Sequence, residues 1–168
     1  MTIEAGSRQD EGMTHSRVRA VALIWAIASG LCATALADAP RSPTPSDRCK
    51  VCGMFVEKYK NWIAIVVFED GSQLFFDGPK DMFKFIRNPK KFKESPSGIS
   101  EIFVTDYYAT RFIDARKAFF VSGSDVMGPM GHELVPVENA DDARTLLEDH
   151  AGKAILSFDE VTLEKVPR

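Results

Sequence analysis

Cysteine and histidine are scarce in this sequence, which has three residues of each among 168. A structural zinc site needs four ligands, and the chain holds a single closely spaced cysteine pair, Cys49 and Cys52. His132 and His150 do not have the spacing of a zinc finger. The net charge of −3 gives no reason to expect a nucleic-acid partner. The scarcity of cysteine and histidine therefore argues against a zinc finger, and no nucleic-acid partner is expected from the net charge.

A long hydrophobic run is also lacking. The uncharged segment Ala20–Ala37 is strongly apolar only as far as Ala28, which is too short to span a bilayer comfortably. Two arginines precede this segment, and it ends in the small-residue pattern Ala35-Leu36-Ala37. These features predict a bacterial secretory signal peptide over residues 1–37, with a mature periplasmic protein that begins at Asp38.

Two alternatives to a cleaved signal remain. The uncharged segment is near the minimum length of a membrane span, so an uncleaved anchor is one of them. Lipidation at Cys32 is the other, but Leu31 stands where a lipoprotein signal needs a small residue. Contact with a membrane is expected only if the segment is retained or lipidated. The polar start of the chain is long, so translation from Met13 is a further alternative to Met1.

The expected mature chain divides into a linker and one domain. Residues 38–48 contain three prolines and predict an extended linker. Residues 49–168 are long enough for a single domain with its own core. A repeated order of elements divides this domain into two halves, at about 49–108 and 109–168.

The first half predicts two strands joined by a hairpin, then a helix capped by Asp77, then a third strand. Their predicted ranges are Trp62–Phe68, Gln73–Phe76, Pro79–Arg87 and Ile102–Thr105. The hairpin signal is Asp70-Gly71, and Pro79 suits the first turn of the helix.

The second half predicts the same order of elements. Gly128, Pro129 and Gly131 predict an irregular loop over residues 124–133. Asn139 is predicted to cap the helix. The predicted strands and helix are Phe112–Val121, Leu134–Val137, Ala140–His150 and Ala154–Phe158. Two strand-strand-helix-strand units predict an α+β fold.

The pair Cys49 and Cys52 admits several interpretations at this stage. An exported CxxC pair often oxidises to a disulfide. A thioredoxin-like redox motif should open a helix after a strand, whereas this pair follows a linker and precedes a strand. The remaining interpretation is a site for a soft metal ion.

Methionines favour the soft-metal interpretation. Met54 lies two residues after Cys52, so extended backbone would direct both side chains to one side. Met127 and Met130 lie in the glycine-rich segment, together with His132, where packing explains methionine less well. Thiolate and thioether sulfurs are the donors that select Cu(I). The alternative for this segment is a surface for binding a partner.

Several motifs together resemble the NosL family of copper(I) chaperones. They are CKVCGM, DGSQLFFDGPKDMFKFI, IFVTDY and KAFFVSGSDVMGPMGHELVPVE. The resemblance implies two ββαβ units packed together, similar to the domain of alkylmercury lyases. Carried over by position, it implies that Cys52, Met54 and Met130 bind the metal. Cys49 makes a CxxC that not every member has, and His132 does not align to a fixed ligand.

The resemblance implies a function in metal delivery without catalysis. Such a protein would receive Cu(I) from a membrane copper donor and pass it to an exported copper enzyme, such as nitrous oxide reductase. The candidate ligands are Cys52, Met54, Met130, Cys49, His132 and Met127. A sulfur-rich set without four harder ligands is expected to prefer Cu(I) to Zn(II).

Three other classes of function remain as alternatives. A thiol–disulfide oxidoreductase would depend on Cys49 and Cys52 but not on the methionines. A lyase acting on carbon–mercury bonds would need a carboxylate beside two thiols, and no short motif in the sequence supplies one. A metal-free binding module would use the CxxC pair as a disulfide. The sequence also leaves open whether Cys49 is a ligand or a redox gate.

Overall fold

The structure is a computed structural model that describes residues 40–92 and 98–168. They belong to one compact unit, Asp38–Arg168. The predicted signal peptide and Cys32 lie outside the described residues. Within the described ranges, no helix has both the length and the apolar character that crossing a membrane requires.

The first sheet has four antiparallel strands in the order β2-β1-β3-β4. Their bounds are β1 Ala64–Phe68, β2 Gln73–Phe76, β3 Ile99–Thr105 and β4 Phe112–Asp114. A tight turn at Asp70–Gly71 joins β1 to β2, and Gly71 supplies the positive φ of 80° that such a turn needs. Strand β4 joins this first sheet although it follows residue 108, where the sequence pattern divided the halves.

The second sheet has three antiparallel strands in the order β6-β5-β7. Their bounds are β5 Phe119–Gly128, β6 Gly131–Val137 and β7 Ala154–Ser157. The helix α2, Ala140–Asp149, follows β6 and packs on this sheet. Asn139 caps α2, because its side chain accepts hydrogen bonds from the backbone N–H groups of Asp141 and Asp142.

The helix α1, Pro79–Arg87, contacts strands of both sheets. Its residue Phe83 is fully buried and packs edge-on against Phe120 of β5, with ring centroids 4.9 Å apart. Phe85, also fully buried, packs against Phe76 of β2. The aromatic contacts of α1 therefore tie the two sheets into one core. Two short 3-10 helices, Val56–Tyr59 and Pro89–Phe92, complete the described elements.

The predicted α+β class is confirmed, and each sheet contributes a strand-strand-helix-strand order: β1-β2-α1-β3 with β4 added, and β5-β6-α2-β7. The predicted strand Phe112–Val121 is not one strand, because Phe112–Asp114 forms β4 of the first sheet and Phe119 begins β5 of the second.

Two further local predictions are wrong. Asp77 does not cap α1; Gly78 occupies the cap position without a side-chain hydrogen bond. The segment 124–133 is not an irregular loop, because β5 and β6 continue through it as a hairpin with a turn at Pro129–Met130.

The described part of the proline-rich segment lies against the domain. Asp47 bonds to Arg41 and accepts the backbone N–H of Thr44, which closes a local turn. The Arg41 guanidinium lies 4.2 Å from the ring centroid of Phe75, and Arg48 forms an isolated bridge with Phe55. The segment thus leads into the turn that carries the two cysteines.

Candidate metal centre

Cys49 and Cys52 lie at the two sides of a tight turn, called here the cysteine turn, Cys49–Gly53. The Gly53 N–H donates to the carbonyl of Cys49 at 2.9 Å, and the Cys49 N–H donates to the carbonyl of Met54 at 2.8 Å. Gly53 has a φ of 78°, a conformation that glycine adopts without steric cost. The turn leaves Cys49 only 3% exposed, whereas Cys52 is exposed. Both cysteines are free thiols.

Two carboxylates of the chain meet the two thiols. The Cys52 thiol lies 3.3 Å from both oxygens of Asp77, and the Cys49 thiol lies 3.5 Å from Oδ2 of Asp81. One potential ligand atom from each of the four residues lies within 4.8 Å of the other three. Asp77 and Asp81 are almost fully buried, at 1% and 3% exposure. The four side chains therefore converge on a single point that a metal ion could occupy.

The surroundings favour protonated thiols when no metal is bound. Burial is the largest cause that raises the pKa of Cys52, to about 11, and the charge of Asp77 adds to it. Burial is the largest cause that raises the pKa of Cys49 well above its usual range. A metal ion that binds these sulfurs as thiolates must therefore displace protons.

The structure separates the predicted ligands into two groups. Cys49 and Cys52 lie in the cluster of thiols and carboxylates. Met54 follows the turn and is half-buried. The positive φ of Gly53 means that the backbone between Cys52 and Met54 is not extended. The expectation that extended backbone directs these two side chains to the same side therefore does not apply.

The other predicted ligands lie at the end of the β5–β6 hairpin, called here the hairpin tip, Met127–His132. Met127 and His132 are directly opposed across the two strands, and Met130 lies in the turn. Met127 is 53% exposed and Met130 is 49% exposed. His132 also lines a cleft of about 350 Å³ together with Lys153 and Lys165. Sulfur and imidazole donors are therefore presented at the surface there.

Asp77 and Asp81 are the members of the cluster that sequence reasoning missed. Their signal was present in the segment Asp77–Asp81, where two acids four residues apart flank the start of a helix. No short motif supplies a carboxylate beside the two thiols, but the fold brings Asp77 and Asp81 there, and this removes the ground on which a lyase was set aside. The cluster also has four potential ligand atoms, so the absence of a four-ligand set no longer argues against Zn(II).

One family model and two solved structures are similar to this chain. The NosL family model matches residues 40–166. The crystal structure of the copper chaperone NosL from Shewanella denitrificans is similar at 25% sequence identity and a TM-score of 0.64, covering 74% of this chain and 96% of that one. The solution structure of apo-NosL from Achromobacter cycloclastes matches at 29% identity and a TM-score of 0.46, covering 61% and 87%. No curated protein matches. Because the family model covers most of its length, this chain belongs to the NosL family.

Proposed function

We propose that this protein is a copper chaperone that captures Cu(I) at Cys49 and Cys52 and releases it by ligand exchange. The observation that carries the proposal is the convergence of one buried and one exposed thiol in a single cluster. The match to a structure described as a copper chaperone supports copper as the cargo. Sulfur donors favour Cu(I) over harder ions, which supports the oxidation state.

The unequal exposure of the two thiols suits capture followed by release. Cys49 is held inside the core, so it can retain the ion while other ligands change. Cys52 is open to solvent, where an incoming thiolate or imidazole of an acceptor can replace it. The thioethers of Met54 and Met130 complete the proposed coordination, since methionine binds Cu(I) without losing a proton.

A Cu(I) titration of the reduced protein against a chromogenic competitor tests this proposal. We expect Cys52→Ser to weaken Cu(I) binding most, because it removes a charged donor. Met54→Leu and Met130→Leu should each weaken binding less and leave the fold intact, because leucine conserves volume and apolarity. Met82→Leu is the matched control, since Met82 is fully buried in α1. Affinity lost only in the cysteine variants would indicate a plain thiol pair without thioether ligands.

The proposed location is the periplasm, after removal of residues 1–37. The proposed acceptor is an exported copper enzyme such as nitrous oxide reductase, and the proposed source is a copper donor in the membrane. The intact mass of the protein from a periplasmic extract tests the location, with a mature N-terminus expected at Asp38. A lipidated Cys32 or a full-length membrane-bound form would contradict it.

The enzymatic alternatives can be tested on the same preparation. A thiol–disulfide oxidoreductase needs a reactive thiolate, and the raised pKa of Cys52 opposes one at neutral pH. We therefore expect little reductase activity towards a model disulfide. We also expect no hydrocarbon release from an alkylmercury compound, because a chaperone exchanges ligands without breaking a carbon–metal bond. Turnover in either assay would overturn the assignment as a chaperone.

A further inference from the structure

The hairpin tip and the cysteine turn are far apart in the sequence, yet both contact residues at the start of α1. Asp77 and Asp81 of this segment face the two thiols. Lys80 lies between them in the chain and reaches in another direction, towards the hairpin tip. Its ammonium donates to the carbonyls of Met130 and His132, each at 2.8 Å. The segment Asp77–Asp81 is thus a shared support for both groups of candidate ligands.

Glu133 of β6 makes the reciprocal contact. Its Oε1 accepts the backbone N–H of Lys80 at 2.6 Å and the N–H of Leu134 at 2.9 Å. Glycine at two positions makes room for this carboxylate. A Cβ atom at Gly78 would overlap Glu133 Oε2, and one at Gly128 would lie 3.0 Å from the same atom. The helix therefore bonds to the hairpin through Lys80, and the hairpin bonds to the helix through Glu133.

Both side chains are ionisable and almost fully buried. Lys80 is 2% exposed and Glu133 is 3% exposed. Burying such groups is costly unless hydrogen bonds satisfy them. An apolar pair would fill the same space, but it would not fix the two backbone carbonyls that flank Gly131. The arrangement determines where the turn that carries Met130 lies relative to the carboxylates.

We propose that Lys80 and Glu133 form a clasp that positions the hairpin tip for metal capture, so that Met130 can complete the coordination begun by the cysteines. The inference rests on the proposed function, because it assigns Lys80 and Glu133 as positioning residues for that site. Neither side chain is itself a ligand. The clasp acts by fixing the backbone on both sides of Gly131, which limits the positions open to the Met130 thioether and so lowers the entropic cost of adding it to the metal.

A double-mutant cycle on Cu(I) affinity separates positioning from general stability. Met130→Leu is measured in the wild-type background and in Lys80→Leu, with Cys52→Ser measured in both. We expect Met130→Leu to lower affinity by about tenfold in the wild type and by less than about twofold in Lys80→Leu. Cys52→Ser should lower affinity by a similar factor in both backgrounds. A structural defect alone would change both factors together.

Two further variants keep the test decisive. Lys117→Leu removes an exposed lysine elsewhere and controls for the lost charge. Gly78→Ala is used if Lys80→Leu does not fold: its added Cβ would displace the Glu133 carboxylate, and the extended φ of −168° at Gly78 suits alanine. The same loss of the Met130 effect is expected there.

The possible failures are distinguishable. An equal Met130→Leu effect in both backgrounds would overturn the clasp while leaving the chaperone function standing. The absence of any Met130→Leu effect in the wild type would also overturn the clasp, since no thioether would then need positioning. Failure of the reduced wild-type protein to bind Cu(I) would overturn the proposed function itself.

Discussion

The thiol of Cys52 lies 3.3 Å from both carboxylate oxygens of Asp77, although the two residues are 25 positions apart in the chain. The contact joins the cysteine turn to the segment before α1. Burial is the main cause that raises the pKa of the Cys52 thiol, and the nearby negative charge of Asp77 adds to it by opposing loss of the thiol proton. Metal capture at this site is therefore expected to be coupled to proton release.

The coupling predicts how Cu(I) affinity changes with pH. The pKa of Cys52 is raised to about 11, and that of Cys49 is raised further. Below these values each thiol that becomes a ligand releases one proton, so apparent affinity should rise by about tenfold per pH unit for each such thiol. Competitor titrations at pH 6, 7 and 8 measure this slope.

The pH dependence of Cu(I) affinity in Cys49→Ser tests whether Cys49 is a ligand. If both sulfurs bind the ion, the variant should show half the wild-type pH dependence. An unchanged slope would mean that Cys49 is not a ligand. Met82→Leu serves as the control, because a buried methionine has no proton to release.

The carboxylates of Asp77 and Asp81 are expected to contribute more to Zn(II) affinity than to Cu(I) affinity. Cu(I) prefers sulfur, whereas Zn(II) also accepts carboxylate oxygen in a four-ligand site. Replacing both Asp77 and Asp81 with asparagine should therefore lower Zn(II) affinity by about tenfold or more and Cu(I) affinity by less than about threefold. Parallel titrations with the two metals measure this, with exposed Asp70→Asn as the control. An equal change in affinity for both metals would contradict a ligand role of the carboxylates that is specific to Zn(II).

Local sequence rules were sufficient for much of the fold. The helix Pro79–Arg87 occupies its predicted range, and Asn139 caps the second helix as predicted. Both features depend on neighbouring residues: a proline in the first turn, apolar residues at helical spacing and a short polar side chain at the cap. The CxxC spacing also identified the two thiols of the cluster.

The missed features depend on contacts between distant segments. A local rule assigned Asp77 to cap α1, whereas the fold directs its carboxylate to a thiol of the cysteine turn. Glycine and proline in the hairpin tip signalled a loop, but pairing with the opposite strand continues to Gly128 and Gly131. A shift of register between Ser122 and Met127 interrupts the strand pattern that would have revealed this pairing.

The proximity of the two thiols predicts a redox gate on metal binding. Their sulfur atoms lie within 4.8 Å, and a disulfide needs about 2.05 Å, so a small movement of the exposed Cys52 would close the bond. Treatment with oxidised glutathione would convert both thiols to a disulfide and reduce the glutathione. We expect the oxidised protein to lose Cu(I) binding and to regain it after reduction.

Cys49→Ser distinguishes the gate from general oxidative damage. This variant has no partner for Cys52, so its residual Cu(I) affinity should recover fully once any mixed disulfide with glutathione has been reduced. Non-reducing intact mass should show a loss of two hydrogens in the wild type alone. A wild type that keeps its Cu(I) affinity as a confirmed disulfide would contradict the assignment of the thiols as ligands.

Glu133 predicts a pH dependence of folding stability. Burial raises the pKa of this carboxyl from its usual 4.5 to about 8 in the folded protein. The proton bound in the folded state therefore stabilises the fold fully below pH 4.5, and this contribution is lost as pH rises through about 8. Between these values the titration of Glu133 should lower the folding equilibrium constant by at most about tenfold per pH unit.

Urea unfolding of the wild type and Glu133→Gln at pH 5, 6, 7 and 8 measures this change in folding stability. The wild-type stability should fall relative to the variant as pH rises, because glutamine cannot ionise. Parallel curves would show that Glu133 does not titrate in this range.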